Sequence, residues 1–136
     1  MRQRTWVVLA VWALALLSAG PAVAANARAA RSVAGVRATL SQYDTALLTG
    51  NGKSGCALLT TKAQTQLAAA NHASSCADVI KLTAAALKSD PKEAAAVRGY
   101  ASKAHITVDG DTATAPKLGE SGRTTLSYTH GLWYLG

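Results

Sequence analysis

The stretch Ala104-His105-Ile106-Thr107-Val108-Asp109-Gly110-Asp111-Thr112-Ala113-Thr114-Ala115 is where the chain changes its hydrophobic period from 3.6 to 2. Ala104, Ile106 and Val108 alternate with His105 and Thr107, the pattern of a half-buried strand. Asp109-Gly110-Asp111 is a hairpin signal, and Thr112 to Ala115 alternates on its far side. Downstream, Lys117 to Gly122 reads as a polar loop and Arg123 to Tyr128 as a third strand. Thr129-His130-Gly131 then reads as a turn and Leu132 to Leu135 as a fourth strand.

Upstream the period is helical. Val33, Val36, Leu40, Tyr43 and Leu47 are spaced 3, 4, 3, 4, which predicts a long helix over residues 29–49. Gly50-Asn51-Gly52 supplies its stop. Cys56 to Leu59 reads as a short turn. Thr61 and Gln64 have capping-box spacing, so a second helix is expected to run to about Ala70. Ser75 and Asp78 repeat that spacing ahead of Val79, Ile80, Leu82 and Leu87, a third helix. Asp90-Pro91 opens a short helical piece expected to reach about Arg98. Helices first and strands after give an α+β class, three main helices packed on a curved, roughly four-stranded antiparallel sheet.

The 136 residues allow one domain. Charged residues at 15% and hydrophobic residues at 49% exclude a disordered tail. At the start, Arg2 and Arg4 precede an apolar run from Trp6 to Leu17, and Ala22-Val23-Ala24 follows a break at Ser18, Gly20 and Pro21. This is the pattern of a signal peptide over residues 1–24, cleaved after Ala24. Residues 25–136 then form the exported domain, with its ordered part from about residue 30. A secreted or extracytoplasmic location follows, with the membrane met only through the leader. Arg2 and Arg4 leave with it, so the net charge of +7 becomes +5. In an oxidising compartment Cys56 and Cys76 are expected to form a disulfide.

Tyr43, Cys56-x-Leu58-Leu59-Thr60, Ser75-Cys76, Val108-Asp109-Gly110-Asp111-Thr112-Ala113 and the closing Gly131-Leu132-Trp133-Tyr134 resemble small secreted bacterial proteins of the nuclear-transport-factor-two-like superfamily. The resemblance covers about residues 30–136 and implies the cone-shaped α+β fold shared with ketosteroid isomerase and scytalone dehydratase. It implies an interior between the long helix and the sheet, and it is compatible with a homodimer. No catalytic residue of those enzymes carries over, because no position matches their motifs.

Gly50-Asn51-Gly52-Lys53-Ser54-Gly55 matches G-x-G-x-x-G, but a phosphate loop needs a strand entering and a helix leaving. Here a helix enters, so the segment reads as a helix-ending loop. Asp44 is the only acid on the first helix and reads as a solvated edge residue. His72, His105 and His130 read as surface residues, and no triad or metal-ligand spacing is present. Arg28, Arg31 and Arg37 are the densest basic group, without adjacent stacking aromatics, so nucleic acid is not an expected partner. Tyr43, Leu47, Tyr128 and Trp133 are the candidate pocket lining. These readings point to an exported, non-enzymatic domain binding a small apolar ligand or a protein partner, with no cofactor. The alternatives are an isomerase- or dehydratase-like enzyme using Asp44 and a tyrosine, and an envelope-associated structural protein held by its basic N-terminus.

Overall fold

The computed structural model describes residues 27–136, so the expected leader and its cleavage after Ala24 lie outside the described residues. From Val33 onward, five helices precede the strands: α1 (Val33–Thr49), α2 (Gly52–Cys56), α3 (Thr61–Ala70), α4 (Cys76–Ser89) and α5 (Pro91–Lys103). The strands β1 (Thr107–Asp109), β2 (Thr112–Pro116), β3 (Arg123–Thr129) and β4 (Leu132–Leu135) form one antiparallel sheet in the order β1-β2-β3-β4. The class is α+β, as the change of period predicts.

The hairpins follow local turn chemistry. Asp109 pairs with Thr112 across a two-residue turn whose first position, Gly110, has φ +58°. Thr129 pairs with Leu132 around His130 and Gly131, both at positive φ. Two-residue hairpins favour positive φ because it matches the twist of the strands. Helix starts are likewise capped by short polar side chains. Ser75 Oγ accepts from Asp78 N at 3.2 Å, and Asp90 Oδ1 accepts from Lys92 N and Glu93 N ahead of Pro91. For α3 the cap is Thr60, one residue earlier than the expected Thr61, and Gln64 turns its amide to Cys56 O and Leu59 O.

Three expectations are corrected. First, α1 starts at Val33 rather than at residue 29, because the carbonyls of Ala29 and Ala30 are taken by the sheet. Tyr128 Oη donates to Ala29 O at 2.7 Å and Trp133 Nε1 to Ala30 O at 2.8 Å. The segment can lie this close only over a glycine: a Cβ on Gly35 would meet Ala30 O at 1.9 Å. Second, the glycine-rich segment is not simply a loop. Gly50 ends α1 in the left-handed region, and α2 then begins at Gly52. Third, the short piece after Asp90 is a 13-residue helix reaching Lys103. Gly99 does not stop it, because Val97 and Ala101 bury on one face. The first strand accordingly begins at Thr107, although Ala104 and Ile106 are buried as the alternation requires.

The main core lies between α1, α4, α5 and the sheet, with Val36, Leu40, Ile80, Leu126 and Trp133 at its centre. Leu58–Thr60 joins the β4 edge: Leu135 N donates to Leu58 O at 2.8 Å and Thr60 N to Leu135 O at 2.7 Å. A smaller cluster of Leu87, Ala94 and Val97 fills the α4–α5 corner. Among the described residues no helix is long and apolar enough to cross a membrane. Cys56 and Cys76 form a disulfide, with Cα atoms 6.1 Å apart, joining the end of α2 to the start of α4. The three residues of the basic N-terminal group differ in setting: Arg28 is buried and donates to Trp133 O, half-buried Arg37 donates to Ala101 O, and exposed Arg31 pairs with Asp111 at 3.1 Å while lying over the Tyr128 ring.

The α2–α4 junction yields two tests. Replacing both cysteines by serine is expected to lower stability by about 3 kcal/mol in urea unfolding, by releasing the closed loop in the unfolded chain. A Cβ at Gly52 would stand 2.7 Å from Ala77 Cβ and 2.8 Å from Ala77 Cα, whereas one at Gly99 meets only the end of Lys103. Gly52→Ala is therefore expected to cost about 1–3 kcal/mol. Gly99→Ala, in a helix interior, is expected to add about 0.5–1 kcal/mol. Urea midpoints of the two variants give both signs.

Candidate functional site

Leu40, Tyr43, Asp44 and Leu47 share one side of α1, the side turned toward α3 and α5. With Leu59, Leu67 and Leu135 they wall a cavity of about 640 Å³, which Tyr100 bounds from α5. Lys117, Glu120 and Arg123 stand among its charged lining residues, contributed by the β2–β3 loop and the start of β3. Leucine and tyrosine form the α1 side together with Asp44, and Gln66, Thr124 and Thr125 add polar groups to the rest of the lining.

Asp44 is 6% exposed, which corrects the solvated-edge reading. The reason is the length of α5. By continuing to Lys103 it lays Ala101 over this edge of α1, and Ala101 N donates to Asp44 Oδ2 at 3.3 Å. Burial raises the carboxyl to about 6, and the Ala101 N–H partly offsets that rise by favouring the ionised form. Tyr43 and Tyr100 are also raised, first by burial and then by the nearby Asp44 charge, so both are neutral phenols at physiological pH. Tyr100 Oη donates to Pro116 O, which holds the ring at the cavity wall. A carboxyl near 6 in an apolar hollow can accept a hydrogen bond from a ligand, and it can take up or release a proton close to neutrality.

The four sequence-derived pocket candidates divide into two pairs. Tyr43 and Leu47 line this cavity. Tyr128 and Trp133 stand elsewhere, ring centroids 5.2 Å apart in an edge-to-face contact, fastening the segment before α1 to the sheet. Trp133 is fully buried core. Sequence reasoning named Asp44 only in the enzyme alternative and left it on a solvated edge, and it missed Tyr100. A signal for Asp44 existed: Leu40, Asp44 and Leu47 are spaced 4 and 3, the same row that buries Leu40. For Tyr100 there was none, because its place depends on how far α5 extends. His72 and His130 sit at positive-φ turn positions and His105 is exposed. Among the described residues no group of three His, Cys, Asp or Glu is placed to hold a metal ion.

Comparison of the chain with protein-family models, with curated proteins and with solved structures finds no match. The functional reading therefore rests on the cavity itself.

The raised carboxyl has a consequence for stability. In the unfolded chain Asp44 titrates near the ordinary aspartate value, below its folded value of about 6. Between these values the folded state binds more protons than the unfolded one, so its stability falls as pH rises through that window. The difference in unfolding free energy between the wild type and Asp44→Asn is expected to change by about 1–3 kcal/mol from pH 4 to pH 7. The wild type should lose ground relative to the variant. Urea denaturation of both proteins at four pH values measures this difference, in which the other carboxylates cancel.

Proposed function

We propose that this chain is an exported, non-enzymatic binding domain that holds a small, largely apolar ligand in the cavity beneath α1. The observation that carries the reading is the 640 Å³ hollow walled by Leu40, Leu47, Leu67 and Leu135, with one buried carboxyl. Ligand sites are mostly apolar concavities with few polar groups, and those groups fix orientation. Asp44 and Tyr43 fill that role here, accepting and donating one hydrogen bond each. Export is supported by the basic-apolar-small pattern of residues 1–24 and by the Cys56–Cys76 disulfide. The helix-over-sheet plan agrees with the proposed kinship to the nuclear-transport-factor-two-like superfamily, in which the interior between helix and sheet is the binding space.

A second reading is favoured by one specific observation, the burial of Asp44 beside Tyr43 and Tyr100. That set suits an acid–base enzyme of the isomerase or dehydratase type, with Asp44 moving the proton and Tyr43 donating to the developing oxyanion.

A polarity-sensitive hydrophobic dye is expected to brighten on binding the wild type. Leu67→Trp, which fills the hollow from α3, should weaken that binding about tenfold or more without loss of the folded state. Equal dye binding by both proteins would overturn the cavity as the site. Asp44→Asn separates the two readings. It should retain dye binding, whereas an enolisable ketone turned over by the wild type and not by Asp44→Asn would replace the first reading by the second.

A further inference from the structure

On the opposite side of α1 lies a separate groove of about 450 Å³. Ser41, Thr45, Ala46 and Thr49 form its α1 wall, and Ala57 and Leu58 face them. Arg28 contributes a third wall. Its side chain is 7% exposed, one terminal nitrogen donates to Trp133 O, and the guanidinium lies 5.0 Å from the centre of the Tyr134 ring. Its Nε–H is buried with no hydrogen-bond partner among the described residues. No carboxylate pairs with it among the described residues either, where the ion pair is Arg31–Asp111.

Such a group is expensive to leave alone. A buried donor without a partner is destabilising, and a desolvated cation without a counter-charge is more so. Desolvation already pulls the Arg28 guanidinium below its ordinary value, with Tyr134 offsetting part of that. Neutral residues of the same bulk would hold the N-terminal segment to β4 without this cost. The missing partner is therefore an anion, and the rest of the groove says which kind. Thr45 Oγ1 donates to Ser41 O at 2.9 Å and Thr49 Oγ1 to Thr45 O at 2.8 Å, so both hydroxyl protons are turned back into α1. Ser41, Asn51 and Ser54 also line the groove, but one guanidinium carries a single charge and balances a monoanion rather than a phosphate, whose charge at neutral pH is nearer two. The threonine methyls, Ala46, Ala57 and Leu58 instead offer apolar contact beside a single cationic donor.

We infer that this groove is a second binding site, taking a small organic carboxylate whose acid group meets Arg28 and whose short apolar chain lies along Thr45, Ala46 and Leu58. The site is independent of the cavity on the other side of α1 and stands whether or not that cavity holds a ligand.

The test is a titration of the purified protein with butyrate, followed by proton–nitrogen NMR of the arginine Nε–H signals. Butyrate is expected to shift the Arg28 signal saturably, and butyramide, the same size without the charge, is expected to leave it in place. Thr45→Leu fills the groove without touching Arg28 and should weaken the butyrate response about tenfold, with the melting temperature little changed. Equal responses to butyrate and butyramide would overturn the assignment, as would an undiminished response in Thr45→Leu. A saturable Arg28 shift with inorganic phosphate and none with butyrate would overturn the carboxylate class. A response spread over surface lysines and arginines without saturation would remove the site altogether.

Discussion

Helix α1 is packed on more than one side, and most of what the structure does follows from that. The sheet takes Val36 and Leu40, and α5 takes the edge that carries Asp44. Close approach on both sides requires small residues. Gly35 admits the segment before the helix, Thr39 is fully buried with its hydroxyl returned to Gly35 O at 3.1 Å, and Ala101 sits over Asp44. A helix held this way cannot pivot on the sheet without breaking its contact with α5. The two hollows along it therefore have one fixed wall each.

The chain has no phenylalanine, and alanine takes many of the inward positions: Ala113 and Ala115 on β2, Ala84 on α4, Ala94 and Ala101 on α5. Small side chains let backbones come close, as at Gly52 and Gly55 against Ala77 and Ile80. They also bury little apolar area per residue, at roughly 25 cal/mol per Å². Among the described residues Trp133 supplies the large fully buried ring, and the Cys56–Cys76 bridge, packed on the main core, restrains the unfolded chain. The same economy explains the cavity. Leu40 and Leu47 from α1, Leu67 from α3 and Leu135 from β4 line it together with Tyr43 and Tyr100, and these side chains leave the space between them open.

What could be read from the sequence was whatever depends on near neighbours. The strand alternation from Ala104 to Val108, the turns at Gly110 and Gly131, and the caps at Ser75 and Asp90 are all settled within a few residues, and each is present. The cysteines were legible because two of them allow one pairing. Contacts spanning much of the chain were not legible. Arg28 meets Trp133 across 105 positions and Asp44 meets Ala101 across 57, and neither pairing leaves a local trace. The missed length of α5 and the missed burial of Asp44 are a single error. Gly99 and the run of small residues before it look like a helix losing its apolar face. In the fold that face needs only Ala94, Val97 and Ala101, because the neighbouring helices supply the bulk opposite them.

Asp44 and Arg28 are buried on opposite sides of one helix, an acid and a base that do not meet. A stability argument alone does not account for either, since a buried ionisable group is a net cost unless its partner is well placed. Asp44 has one backbone donor, and Arg28 keeps an unpaired N–H. Apolar substitutes at both positions would suit a chain selected only to fold. Each of the two groups instead borders a hollow, Arg28 as the one charged side chain lining its groove among the described residues and Asp44 as the buried acid of a cavity whose other charges come from the β2–β3 loop and the start of β3. Strongly perturbed ionisable groups gather where a protein meets something else. On that physical ground we propose that α1, with Arg28 just ahead of it, carries the binding chemistry, while the sheet and α5 hold the helix still.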